Sequence, residues 1–270
     1  MPNQKVVLIT GTSSGVGRST ARLLSYKGYK VFGTSRNPAT AEAIPTVKML
    51  PLDVRSDDSV LACVKALVNE VGRIDVLVNN AAYELAGALE ESSIEEAKAQ
   101  FETNFFGVFR MVKAVLPLMR QQGHGQIINI SSLSGVSSIP FMGTYSASKF
   151  AVEGYTEALR LELKPFNIHV SLTEAGFLRT PMADKRQVST AQLKQYEPWR
   201  QRAFNAISDH EQKAPGPDLV SQTVLRIIAT KTPRLRYVIG SQAKLATRLQ
   251  RFLPAWAYEH GKRSVFGLDK

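Results

Sequence analysis

The chain has 270 residues, of which 44% are hydrophobic and 21% charged, a composition typical of a globular protein rather than a disordered or membrane-embedded one. No apolar run approaches the ~18 residues of a membrane-spanning helix, and one cysteine cannot form an internal disulfide, so we expect a cytoplasmic protein with a single domain over residues 1–270. The formal net charge is +11, and residues 179–270 hold 17 Lys and Arg against 7 Asp and Glu, which places the basic excess in the C-terminal third.

Short β-branched runs alternate with longer helical patterns along the chain. Strands are predicted at Val6–Ile9, Lys30–Thr34, Val47–Leu52, Asp75–Asn79, Gln126–Ile130, Ile168–Thr173 and Arg236–Ile239. Apolar residues at helical spacing predict helices at Gly15–Lys27, Asp57–Val71, Ile94–Met119, Tyr145–Lys164 and Pro217–Ala229. Near-continuous apolar strands separated by helices indicate a parallel sheet covered on both faces. We therefore predict an α/β fold with a doubly wound, seven-stranded parallel sheet.

A glycine-rich turn follows the first strand and opens the first helix. It reads Thr10-Gly11-Thr12-Ser13-Ser14-Gly15-Val16-Gly17. Glycines let the backbone turn tightly and approach a pyrophosphate, while the free N–H groups at the helix start attract phosphate oxygens. We expect this turn to bind a dinucleotide through Gly11, Ser13, Ser14, Gly15, Val16 and Gly17; an ordinary loop is the alternative.

The end of the second strand bears on which dinucleotide is bound. An NAD site usually offers Asp or Glu here for the ribose 2′-hydroxyl, but the strand ends in Thr34-Ser35-Arg36. The guanidinium of Arg36 suits a 2′-phosphate. We therefore predict NADP(H) rather than NAD(H), the alternative being that Arg36 is a surface residue of the next loop.

The sequence Tyr145-Ser146-Ala147-Ser148-Lys149 places a tyrosine and a lysine one helical turn apart. A neighbouring ammonium would favour the phenolate of Tyr145, so that this residue could exchange a proton with a substrate oxygen. Taken alone, such a pair is commonly just exposed on a helix. A strand upstream ends in Ser131-Ser132, and Ser132 could donate to the same oxygen, with Ser131 and Ser134 as competitors.

These motifs, in this order from Thr10 to Thr180, resemble the short-chain dehydrogenase/reductase family. The resemblance implies a Rossmann fold and an enzyme that passes a hydride between the nicotinamide and a carbonyl or secondary alcohol. It implies Tyr145 as proton donor in reduction, Lys149 on the nicotinamide ribose, and Asn104 holding a water near that lysine. The further cofactor contacts implied are Asp53, Val54, Asn80, Ala81, Gly176 and Thr180. Ala175 stands where the family usually has proline, which loosens the turn before Gly176.

The resemblance also assigns parts of the chain. Residues 1–180 would bind the cofactor, 181–213 would cover a small-molecule substrate, and 214–270 would form C-terminal helices and a tail. Similarity to steroid and retinoid dehydrogenases implies a lipophilic substrate. Association of the long helices would give a homodimer or homotetramer.

The tail from Ala243 to Trp256 mixes apolar and basic residues at helical spacing. It could lie on an anionic membrane surface, or pack beside the substrate cleft or a second subunit; we favour packing.

The histidines lack metal-ligand spacing, so no metal is expected, and no nucleic-acid module is recognisable. The rival functions are a sugar-nucleotide epimerase, which the glycine spacing disfavours, and a non-catalytic NADP-binding regulatory protein, which the intact tyrosine and lysine disfavour.

Overall fold

The computed structural model describes residues 4–269, apart from the side chains of Gln242, Arg248 and Arg251. Its main sheet has seven strands: β1 (Val6–Ile9), β2 (Lys30–Ser35), β3 (Lys48–Pro51), β4 (Val76–Asn79), β6 (Gly125–Ile130), β7 (Ile168–Ala175) and β9 (Arg236–Ile239). They lie in the order β3-β2-β1-β4-β6-β7-β9, and every adjacent pair is parallel. The predicted doubly wound α/β fold is confirmed.

Helices cover both faces of this sheet. They are α1 (Gly15–Tyr26), α2 (Asp57–Val71), α3 (Ile94–Phe101), α4 (Gly107–Gln122), α5 (Gly143–Leu163) and α8 (Asp218–Ala229). Alternate residues of β1 show the two-sided burial: Val6 and Leu8 join the core on the α2, α4 and α5 face, while Val7 and Ile9 join the core on the α1 and α8 face. All four side chains are buried, which is why the strand is apolar without interruption.

The predicted helix over 94–119 is divided in the structure. A π-helical segment at Glu102–Phe106 separates α3 from α4, and α4 continues to Gln122. The residues that flank the π segment, Phe101 and Gly107, have helical dihedral angles. The apolar periodicity therefore runs through the segment and gives no sign of the interruption. The wider turn places Asn104, which is 1% exposed, inside the protein.

The order of the strands determines where a ligand can bind. The chain begins at β1 in the middle of the sheet, runs outward to β3, and then crosses back to β4 on the other side of β1. The loops that follow β1 and β4 therefore leave in opposite directions and open a crevice at the carboxyl edge.

Smaller elements complete the fold. Two short parallel strands pair with each other, β5 (Leu85–Ala86) and β8 (Gln187–Val188). Four further helices are α6 (Pro181–Asp184), α7 (Glu197–Gln212), α9 (Ser241–Phe252) and α10 (Ala255–Val265). Among residues 4–269 no helix is both long and apolar enough to cross a bilayer.

Candidate active site

A cavity of about 740 Å³ lies at the crevice between β1 and β4. Most of the residues predicted for the site line it: Gly11, Ser13, Ser14, Gly15, Val16, Arg36, Asp53, Val54, Asn80, Ala81, Ser132, Tyr145, Lys149, Gly176 and Thr180. Two predicted residues, Gly17 and Asn104, are not part of the wall. Both lie directly behind it, where they hold wall residues in place.

The glycine-rich turn needs glycine for two different reasons. Gly11 and Gly15 have φ angles of 70° and 55°, in the left-handed region that side chains disfavour. A Cβ on Gly17 would lie 2.3 Å from the Gly11 carbonyl oxygen and 2.5 Å from the Asn80 amide nitrogen. Gly17 therefore allows α1 to pack directly against the turn, with its first N–H groups at the cavity.

The start of α1 fits an anion. The helix has no acidic residue in its first turn, and the Ser14 side chain at its N-cap accepts no hydrogen bond from the helix among the described contacts. The first N–H groups of a helix have no intrahelical acceptor, and they carry the positive end of the helix dipole. Together with the close backbone approach at Gly11, these features suit the phosphates of a dinucleotide.

Two arginines line the cavity beyond the ends of β2 and β3. Arg36 is exposed at the end of β2, as its sequence position predicted. Asp53 is bound by Arg55, whose Nε and Nη2 lie 3.0 and 2.6 Å from the two carboxylate oxygens. The hydrogen bonds from Arg55, aided by the charge of Arg36, lower the pKa of Asp53. Arg36 thus stays available to a second anion while Arg55 neutralises the nearby carboxylate.

The tyrosine and the lysine meet at the other end of the cavity. Tyr145 and Lys149 lie in the first turns of α5 and are 5% and 4% exposed. Lys149 Nζ donates to the Ile130 carbonyl oxygen at 2.9 Å and lies 5.9 Å from the centre of the Tyr145 ring. Ser132, Ser131 and Ser134 all line the cavity. Of these three serines, Ser132 is the one that lowers the pKa of the Tyr145 phenol.

The pKa of Tyr145 runs against the expectation drawn from the sequence. Burial raises it, and the carboxylate of Glu84 raises it further, while Ser132 opposes the shift. Burial also lowers the pKa of Lys149, to about 8. Desolvation thus outweighs the attraction between ammonium and phenolate, so the neutral phenol is the stable form in this structure.

Asn104 supports the cavity wall from behind. Its carbonyl oxygen accepts the Tyr83 N–H at 3.1 Å, and its amide nitrogen donates to the Tyr83 carbonyl at 3.0 Å and to Ser148 Oγ at 3.1 Å. Ser148 in turn donates to the Tyr145 carbonyl at 2.6 Å. Asn104 therefore joins the strand edge after β4 to the helix turn that carries the tyrosine.

An ion triad at the cavity mouth was not foreseen from the sequence. Arg186 Nε lies 2.9 Å from Glu84 Oε2, and the same guanidinium pairs with Glu211. All three side chains are 13% exposed, and both carboxylates line the cavity. The triad joins the edge near β5 to the loop before β8 and to the end of α7. It therefore ties residues 181–213, which were predicted to cover the substrate, to the edge of the sheet.

Apolar side chains surround Tyr145. Met142 and Tyr145 pack in one cluster with Ile207 of α7 and Phe266 from the C-terminal tail, and Phe177 and Phe204 pack against this cluster. Phe204 of α7 is therefore beside the site. Tyr196 and Trp199 lie farther out: Tyr196 donates to Glu90, and Trp199 is 38% exposed.

Comparison with known proteins bears on this geometry. The family model described as short chain dehydrogenase matches residues 5–190. A 3-ketodihydrosphingosine reductase from Bacteroides thetaiotaomicron is 43% identical over 267 residues, which are 98% of each chain.

Solved structures match the fold as well. A short-chain dehydrogenase from Streptomyces avermitilis superposes with a TM-score of 0.82 at 30% identity, covering 97% of both chains. A short-chain dehydrogenase/reductase from Burkholderia phymatum, solved in complex with NAD, gives a TM-score of 0.80 at 27% identity, covering 92% of this chain and 93% of that one.

Proposed function

The chain belongs to the short-chain dehydrogenase family, and from that premise we propose that it is an NADP(H)-dependent reductase of a lipophilic ketone, with Tyr145 as the proton donor. The observation that carries the proposal is that buried Tyr145 and Lys149 line, together with Ser132, the cavity that begins at the glycine-rich turn. A binding protein would have no need for a desolvated phenol at that place.

The residues of the chain supply the proton and hold the reacting oxygen. The bound nicotinamide would supply the hydride. In reduction the Tyr145 hydroxyl gives its proton to the substrate oxygen, and Ser132 donates a hydrogen bond to the same oxygen. Lys149, held by the Ile130 carbonyl, adds positive charge next to the phenol as the proton leaves. Because burial and Glu84 keep the phenol protonated, the acid form needed for reduction is the one that is populated.

The preference for NADP(H) rests on Arg36. The residue lines the cavity at the end of β2, where a carboxylate would accept the ribose hydroxyl of NAD. A guanidinium there could instead bind the 2′-phosphate of NADP with two parallel hydrogen bonds. The NAD complex of the Burkholderia relative keeps NAD(H) as the alternative that the binding experiment must exclude.

The apolar cluster around Tyr145 supports a lipophilic substrate. Ile207, Phe266 and Met142 surround the reacting end with side chains that offer no hydrogen bonds. The reductase from Bacteroides is named for 3-ketodihydrosphingosine. This compound is an amphiphilic long-chain ketone. A long-chain ketone of this kind is the first substrate class to test. The rival proposal of a non-catalytic regulator gains no support from this relative.

Cofactor titration followed by a substrate panel tests the proposal. Purified protein is titrated with NADPH and with NADH by fluorescence, and oxidation of the preferred cofactor is followed at 340 nm with long-chain, aromatic and short polar ketones. We expect NADPH to bind more tightly and turnover to rise with chain length. Tyr145→Phe should lose turnover and retain cofactor affinity, since it removes only the hydroxyl. Equal turnover by Tyr145→Phe would refute the acid role, and binding without turnover on every ketone would refute the activity.

A further inference from the structure

The helix α9 has one face against the protein and the opposite face in solvent. Ala243 is fully buried and packs over Gly176, and the Gln250 amide donates to the Val136 carbonyl at 2.8 Å. Positions 245, 249 and 252 fall on the opposite side at helical spacing. They hold leucine, leucine and phenylalanine, with exposed fractions of 58%, 39% and 78%. The outward face of α9 is therefore an apolar stripe.

The stripe continues into the next helix. Leu253, directly after α9, is 40% exposed, and Trp256 in the first turn of α10 is 74% exposed. Large apolar side chains that are exposed side by side mark a contact with a protein or with lipid. We call Leu245, Leu249, Phe252, Leu253 and Trp256 the apolar stripe.

The charge around the stripe distinguishes between these two partners. Residues 219–258 contain seven Lys and Arg and no Asp or Glu. One of the seven, Lys244, directly precedes Leu245 of the stripe and is exposed. A symmetric contact between two copies would bring two surfaces of the same positive charge together. An anionic lipid surface would attract this basic segment and take the apolar stripe into its interface.

We propose that α9 and α10 dock the protein on the surface of an anionic bilayer. Leu249 and Trp256 would enter the interfacial region while Lys244 faces the headgroups. The docked helices also border the cavity: α9 begins over Gly176, and the segment after α10 places Phe266 in the cluster around Tyr145. If the proposed lipophilic substrate is correct, it could then enter from the membrane without crossing water; the docking itself does not depend on that activity.

Vesicle flotation tests the docking. Full-length protein is mixed with vesicles of phosphatidylcholine alone or of phosphatidylcholine with phosphatidylglycerol. We expect flotation with the anionic vesicles only, and a loss on raising the salt concentration. The double variant Leu249→Glu/Trp256→Glu should partition about tenfold more weakly, because it removes two apolar contacts and adds two repelled charges.

Matched variants and a second readout complete the experiment. Tyr26→Glu/Leu61→Glu makes the same change at sites 84% and 59% exposed on α1 and α2, and should float as the wild type does. In a Trp199→Phe background, the fluorescence of Trp256 should shift to the blue on adding anionic vesicles, without any change to the stripe. Tyr145→Phe should float normally, which separates docking from activity.

Three results would overturn the proposal. The first is negligible flotation of the wild type with no fluorescence shift, and the second is equal weakening in the tail and control variants. The third is a wild-type oligomer that the tail variant dissociates in light scattering, without vesicle binding by either. That outcome would assign the stripe to contact between copies of the chain.

Discussion

Replacing Arg186 by methionine would leave Glu84 and Glu211 close together without their shared cation. The guanidinium holds the two carboxylates between the sheet edge and the lid region of residues 181–213, and each side chain is only 13% exposed. Removing one partner of a buried ion pair costs about 3–5 kcal/mol, because an unpaired charge stays buried. Since some solvent reaches this triad, we take the lower end, about 3 kcal/mol.

The cost should appear first in the lid. If it fell entirely on global unfolding, Tm would drop by about 6–12 °C at ~2–4 °C per kcal/mol for a domain of this size class. The lid can instead detach alone, since Arg186 joins it to the sheet edge, and local opening limits the loss of global stability. Hydrogen exchange measured by mass spectrometry should therefore speed up over residues 181–213 by a larger factor than over β1 or β4.

A matched variant separates charge from packing. The triple change Glu84→Gln/Arg186→Met/Glu211→Gln removes both charges along with their partner, so it should recover most of the protection in the lid. Faster exchange in the triple variant than in Arg186→Met would refute the electrostatic explanation. Unchanged exchange and Tm in Arg186→Met would refute any closing role of the triad.

Three further predictions concern the cofactor and the proton. Arg36→Asp should weaken NADPH binding by about 10–100-fold, because charge-assisted hydrogen bonds to the 2′-phosphate are lost, and should favour NADH. Arg22→Asp, at an exposed position of α1, is the control for net charge. Equal losses of NADPH affinity in the two variants would contradict the assignment. The rate of alcohol oxidation should rise with pH because the reaction needs the Tyr145 phenolate. Glu84→Gln should move that rise to lower pH, since it removes a carboxylate that raises the pKa of Tyr145. An unmoved pH profile would show that Glu84 does not act on the phenol. Gly17→Ala should lower the free energy of unfolding by about 1–3 kcal/mol, because the new Cβ would clash with the Gly11 carbonyl oxygen, and it should weaken NADPH binding. Gly154→Ala, with open space around it, is the control and should have neither effect. Thermal melting measures the stability and cofactor titration measures the binding.

The cofactor half of the site could be predicted because its signals are local. The turn from Gly11 to Gly17 sits between a strand and a helix that each have clear periodicity, and both glycine and serine positions follow from one short segment. The end of β2 lies where the parallel sheet must bring it, so Arg36 could be placed at the same edge. Two helices end one residue earlier than predicted, at Tyr26 and Leu163, since the apolar pattern does not mark where a helix stops.

The substrate half could not be predicted because its contacts are distant in the sequence. Glu84 and Arg186 are 102 residues apart in the chain. No pattern in the sequence near either residue indicates that they form a pair. The tail contributes Phe266 to the cluster around Tyr145 from the far end of the chain. The tail was expected either to pack beside the cleft or to lie on a membrane; in the structure one side packs, while the other leaves the apolar stripe in solvent.

The sign of the Tyr145 shift has the same origin. The sequence shows the lysine four residues away, so it indicates attraction to a phenolate, but it does not show how deeply the pair is buried or that Glu84 arrives beside it. In the structure both the burial of Tyr145 and the charge of Glu84 raise the pKa of the phenol and so favour its neutral form. Under the proposed mechanism this biases the resting enzyme toward giving a proton, and hence toward reduction. For oxidation the protein must first remove that proton against the charge of Glu84, so whatever relieves Glu84, Arg186 included, also sets how readily the reaction runs backward.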